Sequence, residues 1–297
     1  MDTTNLAAFL AIVDTGSFSE AGEKLFLTQP AVSKRIAALE DQLGTPVFDR
    51  IGRQATLNEA GKILLPRARQ MMELVKGTRQ EIINLNSDIK GPLSIATSHH
   101  IGLRRLPEIL KTYTNQYPDV KLDIRFVDSE ASYEMLNRGE IELGVITLSP
   151  TKQPNLLPKK LWHDPLVFMA AKDHPLTRLK KITAAQLSEY QAVLPGKNTF
   201  TYQIVQDLFD QEALQLQTAM STNYLETLRM LASIGLAWSI LPLTMQEDDL
   251  TVLDVRLKGA SPARELGYIL HPKRTLSNAA QAFVTLLESS KDNTLTQ

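Results

Sequence analysis

Gln29, Ser33, Lys34 and Arg35 fall within two turns of one stretch, Gln29-Pro30-Ala31-Val32-Ser33-Lys34-Arg35-Ile36. Their amide, hydroxyl and cationic groups are those that hydrogen-bond base edges and phosphates. On a helix, Gln29, Ser33 and Lys34 lie opposite Val32, Ile36 and Leu39, with Pro30 near the same tip. This spacing assigns Gln29, Pro30, Ser33 and Lys34 to base edges in a major groove, and Thr28 and Arg35 to phosphates. Arg50 and Arg53 suit a phosphate or minor-groove contact. The competing reading is that each charge is simply solvated. Six polar residues between apolar anchors favour the interface.

Overall composition gives this reading no help, because net charge is −1 and residues 1–60 hold fewer basic than acidic groups. Placement does help: of Lys24, Lys34, Arg35, Arg50 and Arg53, all but Lys24 fall on the helix just described or in the segment after it. Catalytic chemistry finds no support, since the chain has no Gly-x-Ser-x-Gly, phosphate loop or His-Glu-x-x-His. There is no cysteine, which excludes disulfides, thiol catalysis and thiol-based redox sensing. His99 and His100 are adjacent on one loop, which rarely chelates a single ion, so no metal and no resident cofactor are expected.

A second group of polar residues falls at the ends of expected strands and the starts of expected helices. Ser98, His99 and His100 follow one strand and Thr147 ends another; Thr199, Phe200, Thr201 and Asn223 precede or open helices. In open α/β sheets a ligand binds outside the carboxyl ends of the strands, near free helix N–H groups. Hydroxyl and amide groups there suit a small carboxylate or other small anion, with Trp238 as an aromatic of the cleft wall. The alternative for each Ser, Thr or Asn is that it only caps its helix.

The elements that must position these groups follow from periodicity. Leu6, Phe9, Leu10 and Val13 predict a helix over 3–14, and Ser17 or Ser19 caps a second over 19–26. A third runs from Gln29 to its stop at Gly44, and residues 45–57 read as a β-hairpin. Asn58 then caps a long helix to about Ile89. Along it Leu64, Ala68, Met71, Val75, Thr78, Ile82, Leu85 and Ile89 step as a heptad seam, with Pro66 as a site for a kink. The seam either pairs two chains, through Leu64, Ala68, Met71, Val75, Ile82 and Leu85, or packs on its own domain. After Gly91-Pro92 a β-α-β-α-β rhythm implies a parallel sheet with helices on both faces. It includes a helix over 103–116 and strands at 143–147, 166–171 and 266–270. A length of 297 residues suits two or three domains. No apolar run reaches membrane-spanning length, and no basic leader precedes the first helix.

The motifs Ser17-Phe18-x-x-Ala21, Leu25-x-x-x-Gln29-Pro30-Ala31-Val32-Ser33, Ile36-x-x-Leu39-Glu40 and Leu43-Gly44-x-x-Val47-Phe48-x-Arg50 resemble the N-terminal domain of the LysR-type transcriptional regulators. The resemblance extends more loosely over the whole chain. It carries Pro118 and Val120, the Gly139–Leu143 turn, Gly235-Leu236 and Leu241-Pro242. Three departures stand out. Asn58 replaces a usual Thr, both being helix caps. Lys34 replaces a frequent Arg, which weakens bidentate guanine recognition there. Ala237-Trp238 replaces a usual Gly-Ile pair, which would narrow or reshape the cleft.

The resemblance implies a winged helix-turn-helix over 1–58 and a linker and dimerisation helix over 59–90. A two-lobed α/β, periplasmic-binding-protein-like effector domain follows, with lobe I over 91–162 and 268–297 and lobe II over 163–267. It further implies a cytoplasmic homodimer that assembles as a dimer of dimers on an operator in double-stranded DNA. A small-molecule effector would shift its arrangement and its contact with RNA polymerase. The rivals are a solute-binding protein of periplasmic-binding type, for which the DNA-reading segment has no use, and an enzyme with a fused regulatory domain.

Overall fold

Asp2 starts the first helix by accepting the Thr4 N–H at 2.8 Å, in a computed structural model that describes residues 1–51, 54–86, 88–258 and 261–290. Three helices follow in order, α1 (Thr3–Thr15), α2 (Phe18–Leu25) and α3 (Gln29–Leu43). Gly16 and Gly44 end α1 and α3 in the left-handed region, at φ 71° and 69°, where a side chain would be strained. Strands β1 (Phe48–Ile51) and β2 (Gln54–Leu57) pair antiparallel as the wing. Leu6, Phe9, Ile12, Val32, Ile36, Leu39 and Val47 are buried together beneath it.

The long helix α4 (Glu59–Asn84) begins at Asn58, whose side chain accepts the Gly61 N–H at 2.9 Å and donates to the Pro46 carbonyl at 3.0 Å. A Cβ on Gly61 would stand 2.2 Å from the Val47 carbonyl oxygen, so only glycine lets the helix meet the wing this closely. The helix is continuous through Pro66 and stops at Asn84, short of the expected end near Ile89. Ile89 packs instead on the core of the next unit. The chain divides into two compact units, the first made of Met1–Asn86 with Lys273–Thr275.

The second unit opens with β3 (Gly91–Thr97), α5 (His99–Arg104), α6 (Pro107–Gln116), β4 (Val120–Phe126), α7 (Ser129–Arg138) and β5 (Leu143–Thr147). The helix expected over 103–116 is thus two, broken before Pro107. Next come β6 (Leu157–Ala171), β7 (Ile182–Thr183), α8 (Ala184–Ser188), β8 (Ala192–Leu194), α9 (Phe200–Gln211), β9 (Thr218–Ser221) and α10 (Leu225–Ser233). The described chain closes with β10 (Ser239–Pro242), β11 (Leu250–Val252), β12 (Val255–Arg256), β13 (Ala263–Leu270) and α11 (Asn278–Ser289).

The parallel sheet expected from the β-α-β-α-β rhythm is present in β3, β4 and β5, and the later strands extend it as a mixed sheet. Strands β4, β3 and β5 are parallel, but β13 runs antiparallel to both β5 and β6, and β10 and β11 antiparallel to β6. β6 runs 15 residues, well beyond the expected 166–171, because the segment Leu157 to Pro165 alternates weakly and takes its register from β13. β6 and β13 run from one lobe into the other. One core gathers Leu93, Ile95, Tyr113, Val145, Trp162 and Phe283; another gathers Phe168, Leu194, Val205, Phe209, Trp238 and Ile240.

Candidate DNA interface and effector cleft

Helix α3 presents the polar tip that its sequence predicts. Thr28, its N-cap, accepts the Ala31 N–H at 3.4 Å, and Pro30 occupies the first turn, where no N–H is needed. Val32, Ile36 and Leu39 are fully buried, whereas Thr28, Gln29, Pro30 and Lys34 are exposed and Ser33 and Arg35 partly so. The Gln29 amide donates to the Ser33 hydroxyl at 3.0 Å, which sets two neighbouring polar groups in one orientation before any partner arrives. At the far end the Glu40 carboxylate accepts the Val47 N–H at 2.9 Å and fastens the wing to α3. Arg53 and the Arg50 side chain lie outside the described residues.

The linker seam divides in two. Leu64 and Ala68 are buried in the core of their own winged-helix domain, at 7% and 0% exposure, and so are not free for a partner chain. The heptad read them as pairing residues because the same stripe serves two surfaces in succession. Met71, Val75, Ile82 and Leu85 are exposed, together with Leu74 and Ile83. Leu74, Val75, Thr78, Arg79, Ile82 and Ile83 line a shallow apolar trough.

In the second unit the parallel strands β3, β4 and β5 end on one cleft. Ser98, His99 and His100 follow β3, Asp128, Ser129 and Glu130 follow β4, and Thr147 ends β5. Thr199, Thr201, Asn223, Tyr224 and Arg264 face them across a cavity of about 120 Å³.

Capping and contact can now be separated residue by residue. Thr199 caps α9, accepting the Tyr202 N–H at 3.2 Å and donating to the Gly196 carbonyl at 2.8 Å. Ser98 stands at the N-cap of α5 yet makes no capping bond, so its hydroxyl is not spent on the helix. Thr147 is held by its backbone, whose N–H donates to the Ser129 hydroxyl at 3.1 Å. Thr201 accepts from the Arg264 guanidinium at 3.3 Å. Asn223 accepts the Gly196 N–H at 2.8 Å and donates to Asp128 at 2.7 Å. His99 meets Tyr224 edge-on, ring centres 5.1 Å apart.

Two expected residues are elsewhere. Trp238 is fully buried in the second-lobe core, stacked on Phe209 at 5.9 Å, with its indole N–H donating to the Leu187 and Tyr190 carbonyls. It therefore neither lines nor narrows the cleft; a hydrophobic ring with one donor found a core site that satisfies both. The Phe200 side chain packs edge-on against Tyr133, and only its backbone N–H reaches toward the site, donating to Glu130 at 2.6 Å.

The structure adds groups that the sequence did not single out. Arg264 and Asp164 are register partners on β13 and β6, both buried, with Arg264 Nε donating to Asp164 Oδ2 at 3.0 Å. Arg105 lies 4.0 Å from the other Asp164 oxygen. Two guanidiniums thus share one carboxylate. Burial, reinforced by Arg264 and opposed by Asp164 and Glu226, holds the His100 imidazole down to about 4, so it is neutral at pH 7. Burial also raises the Glu130 carboxyl above its ordinary value, against the Phe200 N–H that favours the charged form. Nothing local marks Arg264 or Asp164 in the sequence, because each is meaningful only beside a partner 100 residues away. Among the described residues, no group of three or more His, Cys, Asp or Glu could hold a metal ion, and no helix is long and apolar enough to cross a membrane.

Comparisons with known proteins agree with this division. Residues 3–62 match the model of the bacterial regulatory helix-turn-helix proteins of the lysR family, and residues 86–291 match the LysR substrate binding domain. The chain is 30% identical over 288 residues to the HTH-type transcriptional activator CmpR of Synechocystis sp., covering 94% of this chain and 92% of that protein. An HTH-type transcriptional regulator of Azotobacter vinelandii is 61% identical over 107 residues, 36% of this chain and 74% of the relative. Among solved structures, a full-length variant of OxyR from Pseudomonas aeruginosa superposes with a TM-score of 0.68 at 22% identity, over 98% of this chain and 94% of that one. CbnR complexed with its target DNA superposes with a TM-score of 0.57 at 21% identity, over 98% and 100% of the two chains. These structures share the fold. With a winged helix-turn-helix and an effector-binding α/β domain both matched in order along one chain, this protein belongs to the LysR family of DNA-binding transcriptional regulators.

Proposed function

We propose that the protein reads an operator through Gln29, Pro30, Ser33 and Lys34 in the major groove, with Thr28 and Arg35 on phosphates and Arg50 and Arg53 on phosphates or the minor groove. A small carboxylate or similar anion in the effector cleft modulates this binding. The observation that carries the effector reading is the donor set at the cleft: an unspent Ser98 hydroxyl and the Thr147 and Thr201 hydroxyls, with buried Arg264 beside them. His99, His100 and Asn223 complete the wall. Chains pair through the exposed face of α4 around Val75 and Ile82 and assemble in the cytoplasm as a dimer of dimers that contacts RNA polymerase. The effector acts by favouring one arrangement of the pairs over another.

A thermal-shift screen of small carboxylates on the full chain tests the cleft. A ligand that binds the native state raises the midpoint, and Ser98→Ala abolishes that rise if the carboxylate sits where the reading puts it. A rise undiminished in Ser98→Ala rejects the assignment.

A further inference from the structure

Phe26 ends α2 with a left-handed backbone, φ 54° and ψ 42°. Its side chain is 96% exposed, the highest value of any large apolar residue described. Both choices are unfavourable: glycine or asparagine suits that backbone better, and a polar group suits that exposure better. The fold gains nothing from the ring. The turn is fastened by the backbone, with the Phe26 N–H donating to the Glu23 carbonyl at 3.1 Å and the Leu27 N–H to the Gly22 carbonyl at 2.8 Å. Leu25 and Leu27 on either side supply the apolar anchors.

What the position offers is location. Phe26 lies two residues before the α3 N-cap, and Thr28, Gln29 and Pro30 are exposed beside it. It therefore extends the polar tip of the helix-turn-helix with an apolar, fully presented surface. We propose that Phe26 is a DNA contact, its ring lying on the C–H surface of the operator duplex, a thymine methyl or a deoxyribose, at the edge of the groove that α3 enters. Phenylalanine recognises thymine methyls by such contact, and an interface would repay the exposure that the free protein tolerates.

The test uses full-length protein and a duplex selected from random sequence by the wild type. Phe26→Gly and Phe26→Asn both accept the left-handed backbone, so their melting temperatures match or exceed that of the wild type. Affinity for the selected duplex falls about tenfold, the scale of removing a half-buried aromatic from an interface. The slope of log affinity against log salt stays unchanged, because no phosphate contact is lost. Replacing single thymines by uracil separates the two sources. One such substitution reproduces the loss in wild type if the ring meets a methyl, and none does if it meets a sugar. Unchanged affinity in both variants overturns the proposal, and so does a loss accompanied by an altered sedimentation profile, which would make Phe26 a subunit contact.

Discussion

Asp128 stands at the N-cap of α7 but makes no capping bond there; its carboxylate instead accepts the Asn223 amide at 2.7 Å, across the cleft. Asn223 in turn accepts the Gly196 N–H at 2.8 Å, so one amide joins the first lobe to a loop of the second. Glu130 does the same two residues on, accepting the Phe200 N–H. Carboxylates of the first lobe thereby occupy donors that an anionic ligand would also seek.

A double-mutant cycle measures the first of these links. Asp128→Ala and Asn223→Ala together should destabilise less than the sum of the two, with a coupling of about 1 kcal/mol, the size of a solvent-facing hydrogen bond to a charged group. Asn223→Ala alone should cost more than Asp128→Ala, because it also leaves the Gly196 N–H without its acceptor. Urea denaturation gives all four stabilities, and strict additivity would show that the bond does not hold the lobes.

Trp238 is a core residue, and its variants should behave as core variants do. Trp238→Ala should cost about 3–5 kcal/mol as a large buried ring is deleted. Trp238→Phe should cost about 1–3 kcal/mol, keeping an aromatic ring but losing the second ring's volume and depriving the Leu187 and Tyr190 carbonyls of their donor. The midpoint rise produced by a cleft ligand should survive in Trp238→Phe. Its loss in a folded variant would return Trp238 to the binding site.

The two halves of α4 make opposite demands. Leu64→Ala removes a buried side chain and should cost the winged-helix domain about 2–4 kcal/mol. Val75→Lys and Ile82→Lys alter exposed positions and should leave that domain within about 0.5 kcal/mol of wild type while lowering the sedimenting mass. Were the mass to stay constant in both lysine variants, the pairing surface would have to be sought off this helix.

What could be read in the sequence is what local spacing encodes. The α3 stripe of Val32, Ile36 and Leu39, and the polar tip opposite, need only a helical period to be seen. The LysR resemblance carried by the Gln29–Ser33 motif agrees with the matched family models. What could not be read depends on distant partners. Leu64 and Leu85 look alike in a heptad, yet only the packing of α4 on α1 and the wing buries the first. The β6 segment around Lys159 and Lys160 lacks strand character on its own and is a strand because β13 lies beside it. Arg264 joins the cleft only through Asp164 and Thr201.

On α3, the polar tip separates sequence reading from charge neutralisation. Lys34→Ala should weaken binding and reduce the salt slope by about one, the signature of one lost phosphate-field cation, whether or not it also touches a base. Ser33→Ala should leave the slope unchanged but flatten discrimination between operator and mismatched duplexes, since it also releases the Gln29 amide from its 3.0 Å partner. Competition binding across a salt series reads both quantities, and undiminished discrimination in Ser33→Ala would remove Ser33 from the reading surface.

His100 predicts how the protein responds to acid. Its imidazole is 5% exposed, and burial with Arg264 nearby lowers it from an ordinary value of 6.5 to about 4, while Asp164 and Glu226 pull upward and Arg104 downward. Above the unfolded value the ring is neutral in both states and stability is indifferent to its titration. Between 6.5 and about 4 the unfolded chain takes up a proton that the folded chain refuses, so stability falls as pH falls. The limiting slope is about 1.4 kcal/mol per pH unit, and the loss levels off once the folded ring is also protonated. Glu130 and Glu142, both raised by burial, act in the opposite sense, because the folded state keeps their protons longer and that stabilisation fades as pH rises. They are common to wild type and His100→Gln, so the informative quantity is the difference between the two proteins. That difference should be flat above about pH 7 and should move in favour of His100→Gln as the solution is acidified through the window. Urea midpoints for the pair at half-unit steps of pH decide it, and two parallel profiles would mean that His100 takes up its proton as readily folded as unfolded.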